Sequence, residues 1–126
     1  ISNSKVSKIH RVCDINYYLN AMEHIKSRVP GVVFFIFSND IKWCESNFAA
    51  KNIIFMRNHN RANPNEDILL MSNCEHAIID NSSFCWWGAW LIQNKNAIII
   101  APKKWFALES LQKQSKDIYC DNWIKL

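Results

Sequence analysis

Four short apolar runs, VVFFIF (32–37), NIIFM (52–56), HAIID (76–80) and NAIIIAP (96–102), constrain this chain more than any other feature. They are rich in β-branched and aromatic residues, and they lack the polar alternation of a strand with one wet face. Each reads as a buried strand. From Asp14, a plausible N-cap, the residues Ile15, Tyr18, Leu19, Met22, Ile25 and Val29 fall at helical spacing until Pro30 and Gly31 end the pattern. Ser38, Asn39 and Asp40 cap a short helix through Phe48. Asn63 as N-cap, Pro64 at the first helical position and Glu66 in a capping-box-like pattern start another, which runs to about Cys74. SFCWWGAWLIQ (83–93) is the last of the series. Strands alternating with helices predict an α/β fold, a Rossmann-like parallel sheet with helices on both faces. In the tail, DIYCDNWIKL, Trp123 and Ile124 are expected to dock against that sheet.

With 126 residues, the chain reads as a single α/β domain, 1–126, with a polar lead-in over 1–13. Its basic first residues lack the apolar core of a signal peptide, and a start at Ile1 reads as a fragment of a longer chain. Hydrophobic residues at 49% and charged residues at 21% exclude a disordered chain, and no apolar run is long enough to cross a bilayer. Five cysteines, an odd number without a C-x-x-C pair, predict free thiols in a reducing cytosol, hence a cytoplasmic protein. The net charge of +4 is scattered, which excludes a nucleic-acid partner and leaves at most a peripheral membrane association. His10, His24, His59 and His76 have no metal-ligand spacing, and only His59, in a polar loop, reads as a contact residue.

Ligands of open parallel sheets bind beyond the carboxyl ends of the strands. Three polar stretches fall there: Ser38 to Asp40, Arg57 to Asn63, and Asp80 to Ser83. Asn81, Ser82 and Ser83 at a helix start offer hydroxyls, an amide and backbone N–H groups to phosphate oxygens, and the same residues are also ordinary caps. Asp40 is likewise either a cap or a carboxylate that reads the paired N–H donors of a guanine. Cys85 sits where a helix dipole lowers a thiol pKa, but no histidine lies near it in sequence to act as base.

FFIFSNDIKWC (34–44), ILLMSNCEHAIIDNSSFCWWGAWL (68–91), IIIAPKKWF (98–106) and the closing DNWIKL together resemble the C-terminal region of bacterial α-1,2-fucosyltransferases. The resemblance runs from Asp14 to the end of the chain. It implies the nucleotide-sugar lobe of a two-lobed GT-B glycosyltransferase, inverting and independent of metal, that moves fucose from GDP-fucose to a galactose-containing acceptor. By position, Ser38 and Asp40 match the segment expected near the guanine, and Asn81, Ser82 and Ser83 the segment expected at the diphosphate. Asn39 stands where the family usually has a first acid. The family's upstream His-x-Arg motif, whose arginine is expected at the leaving diphosphate, is missing: KIHRVCD (8–14) has the wrong spacing. The 126 residues alone are therefore expected to be inactive, and a homodimer through an exposed sheet edge is expected of a lobe that has lost a neighbour. A stand-alone nucleotide-binding or interaction domain without transferase activity is the competing reading.

Overall fold

The computed structural model describes residues 13–57 and 63–126. In chain order these form α1 (Ile15–Lys26), β1 (Phe34–Ile36), α2 (Ile41–Asn47), β2 (Ile53–Phe55), α3 (Pro64–Ser72), β3 (Ala77–Ile78), α4 (Ser83–Trp90), β4 (Ile99–Ala101), α5 (Glu109–Gln112), a 3₁₀ turn (Lys116–Ile118) and β5 (Ile124–Lys125). The α/β class and the parallel strands are as the apolar runs predict.

The local signals act as expected at most ends. Asp14 caps α1 by accepting the Tyr17 N–H at 2.9 Å. The chain leaves that helix through Gly31, whose φ of 70° lies in the left-handed region that a side chain disfavours. Asn63 is an exception: its side chain makes no cap bond, and its amide instead reaches Glu66 Oε1 at 3.5 Å.

The strands form two parallel sheets rather than one. β1 pairs with β2, Phe34 opposite Ile53 and Ile36 opposite Phe55, while the second sheet has the order β3-β4-β5. Within it Ala77 faces Ile99 and Ile100 faces Ile124. The Ile79 carbonyl, just past β3, accepts the Tyr17 hydroxyl of α1 at 2.6 Å, which ties the helix to the second sheet.

Helix α1 spans both sheets. Its Ala21 and Ile25 pack with Ile100, Phe34, Ile78 and Ile98, and its Met22 joins Cys44 and Phe48 against Phe34, Ile36, Ile53 and Phe55. Phe34 and Ile78 belong to both clusters, which places β1 and β3 at the junction. The opposite face of the second sheet, Ile79, Ile99 and Ala101, is covered by Ala89 of α4 and by Trp105 and Trp123. That sheet is buried on both faces, as its apolar runs predict.

The first sheet is not. Val33, Phe35 and Ile54 are 46%, 48% and 47% exposed, so β1 and β2 present one covered and one open face. An apolar run shows that a face resembles a core face, without specifying which element covers it. The expected docking of the tail is present in a stronger form, because Trp123 is buried and Ile124 enters the sheet as β5.

Helices α3 and α4 meet at Gly88, where an added Cβ would lie 2.9 Å from Met71 Cε and 3.0 Å from Met71 Cβ. The Cε can swing away, but the Cβ moves only with the α3 backbone. Gly88→Ala gains up to about 1 kcal/mol of helix propensity and incurs about 1–3 kcal/mol of overpacking. A net loss of about 1 kcal/mol is expected, read as a lower urea midpoint; an equal or higher midpoint would show that the two helices separate freely.

Candidate functional site

Two polar turns stand at the carboxyl ends of the junction strands. After β1, the Ser38 hydroxyl accepts the Asp40 N–H at 3.0 Å, and Asp40 Oδ1 accepts the Trp43 N–H at 3.0 Å. Asp40 is thus a true N-cap of α2. The cap engages Oδ1, and the residue is exposed. Ser38, Asn39, Asp40, Lys42, Glu45 and Arg57 line a cleft of about 440 Å³. Arg57, just beyond β2, is ion-paired to Glu45 of α2.

After β3, Asp80 shapes the hinge by accepting the Ser82 N–H on Oδ1 at 3.0 Å. The Ser82 hydroxyl caps α4 through the Cys85 N–H at 3.2 Å. Asn81 donates its amide to the Trp105 carbonyl at 3.0 Å, which ties the hinge to the segment after β4. Ser83 is exposed at the first turn. Of the three residues read as a phosphate cradle, Asn81 thus has a long-range structural bond and Ser82 a cap bond, while Ser83 lies open to solvent. His59 lies outside the described residues.

Cys85 holds its proton more tightly than a free thiol. Burial, and then the negative charge of Asp80, push its thiol up to about 12 despite its place in the first turn of α4. Cys13 is pushed to about 12 for the same reasons in the same order. All five cysteines are free. Among the described residues no three His, Cys, Asp or Glu side chains converge on a metal position, and no helix is long and apolar enough to cross a membrane. His76 is structural: its Nδ1 accepts the Ile98 N–H at 2.9 Å where β3 meets β4.

A second groove, lined by Lys26, Val29, Gly31, Val33, Lys51 and Asn52, lies at the amino ends of β1 and β2, the edge opposite to the polar turns. Two contributors were not singled out in the sequence. Arg57 was only part of a polar stretch, and its position directly after a strand is the signal that marks it. Asp80 occupies the matching place after β3, but nothing local shows that its carboxylate turns back to the hinge.

Polar turns at the carboxyl ends of parallel strands stand where open α/β sheets place their ligand sites. A family model described as Glycosyl transferase family 11 matches residues 1–126, and the chain belongs to that family. It is 41% identical to an Alpha-1,2-colitosyltransferase of Escherichia coli, over 100% of this chain and 43% of that protein. It is 36% identical to the O-antigen biosynthesis glycosyltransferase WbnK of Escherichia coli, over 100% and 41%. Over 64% of this chain it is 30% identical to the Galactoside alpha-(1,2)-fucosyltransferase 2 of Bos taurus, of which 24% is covered. The chain spans less than half the length of these relatives. No solved structure matches it.

Proposed function

We propose that this chain is the donor-binding lobe of an inverting α-1,2-glycosyltransferase that uses GDP-fucose and a galactose-containing acceptor on the cytoplasmic side, without a metal. The observation that carries this reading is the pair of turns at the junction. Asp40 caps α2 through Oδ1 and lines the cleft, where a carboxylate pairs with the adjacent N–H donors of guanine and has no such match in uracil. The first turn of α4, with Ser82 and Ser83, is the neighbouring site for the diphosphate. Transfer builds negative charge on the leaving nucleotide, and a fixed guanidinium opposite it is worth about 3–4 kcal/mol in such sites. With the family's arginine motif absent, the lobe binds donor without turning it over.

The test is a calorimetric titration with GDP, GDP-fucose and UDP. Asp40→Asn keeps a good cap and removes the charge, so it is expected to leave the fold intact and weaken GDP by about tenfold. Ser82→Ala with Ser83→Ala is expected to weaken GDP and GDP-fucose together. Equal binding of GDP and UDP by the wild type, or no effect of Asp40→Asn, would remove the guanine assignment.

The donor sugar has a second reading. Greater identity and full coverage with a colitosyltransferase, against partial coverage with fucosyltransferases, favour a colitosyl donor on the same nucleotide site. Competition of the two sugar nucleotides for the GDP site distinguishes them.

A further inference from the structure

We propose that Arg57 is the group that makes the Asp40 cleft accept a nucleotide rather than a nucleoside, by placing its guanidinium against the phosphate-bearing part of the ligand. The inference rests on the nucleotide reading above and adds a residue to it. The cleft lining carries two carboxylates, Asp40 and Glu45, and two cations, Lys42 and Arg57, so its charges balance. Without Arg57 the same lining is net negative and repels the ligand that Asp40 is suited to read, since GDP brings two to three negative charges of its own.

The geometry equips Arg57 for the task. It follows β2 directly, at the carboxyl edge, and the ion pair to Glu45 holds it to the cleft wall formed by α2. Its side chain remains 64% exposed, against 31% for Glu45. A guanidinium has five N–H donors in a fixed fork, and a single carboxylate engages at most two, which leaves donors for phosphate oxygens. An ion pair this open is weak, so Glu45 orients the arginine without holding it against a stronger anion. Among the described residues the other arginine, Arg28, is engaged beyond the end of α1 with the His24 carbonyl and the Ser27 hydroxyl.

The experiment compares GDP with guanosine on the wild-type chain, Arg57→Ala and Arg57→Lys, with thermal melts confirming that each is folded. Arg57→Ala is expected to weaken GDP by about tenfold or more and to leave guanosine within about twofold, because the lost contact is charge-assisted and goes to phosphate. Arg57→Lys is expected to recover part of the loss by restoring the charge without the fork. Added salt is expected to weaken GDP binding to the wild type and to affect Arg57→Ala less. Unchanged GDP binding by Arg57→Ala, or an equal loss for guanosine, overturns the assignment of Arg57 and leaves the guanine reading at Asp40 standing. Failure of the wild type to bind GDP at all overturns both.

Discussion

Trp123→Ala is expected to lower the unfolding free energy by about 3–5 kcal/mol, the usual effect of deleting a large buried aromatic. Trp123 is buried in the cluster of Ile79, Ala89, Ile99, Ala101 and Trp105. Its ring lies 5.8 Å from that of Trp86, which is itself fixed by donating its indole N–H to the Ile118 carbonyl at 2.7 Å. The next residue, Ile124, pairs with Ile100 at the centre of the second sheet. Removing the indole therefore opens a cavity and also loosens the packing beside β5. Trp87→Ala is the matched control: Trp87 is 49% exposed, and its loss is expected to cost about 1 kcal/mol or less. Urea unfolding of the two variants reads the difference. Equal midpoints would mean that the tail is not part of the cooperative unit.

The same contrast shows what the sequence makes legible. Element order came from apolar runs and spacing, and the caps at Asp14, Asp40 and Ser82 came from side chains acting within three residues of themselves. Those are local effects. In the sequence β5 is legible only as a docking tail, because a two-residue strand has no period and its pairing is decided by Ile100 far away in sequence. The open face of β1 and β2 was missed because an apolar run does not specify what covers it. In the site, Asp40 is legible in the sequence as a cap, which its bond to the Trp43 N–H bears out. The amide of Asn81 is bound to the carbonyl of Trp105, a partner 24 residues on that no local pattern identifies.

Raising the pH from 8 to 11 is expected to destabilise the fold steeply. Four groups around the Asp80 hinge hold their protons more tightly folded than unfolded. Burial, reinforced by Asp80, lifts Cys13 and Cys85 to about 12, and burial lifts the Tyr17 and Tyr18 hydroxyls well above the usual tyrosine value. In the unfolded chain the thiols release their protons near their ordinary value of 9.0 and the hydroxyls near 10.0. Between those values and the folded ones, the unfolded state binds fewer protons, so stability falls as pH rises, by up to about 1.4 kcal/mol per pH unit for each enclosed group. The stabilisation is complete below about pH 9 and is lost towards pH 12. Cys13 contributes less than Cys85 because it is less enclosed. Urea midpoints at pH 8, 9, 10 and 11 measure the slope, and Cys85→Ser is expected to flatten it; a midpoint that does not move would show that these groups are open to water. Of these groups, the Tyr17 hydroxyl holds the Ile79 carbonyl at the end of β3, and Cys85 donates its backbone N–H to the Ser82 cap. Because the folded state keeps these protons up to about pH 12, the hinge gains no charge from them while the chain is folded, and donor affinity is expected to follow the folded fraction as pH rises.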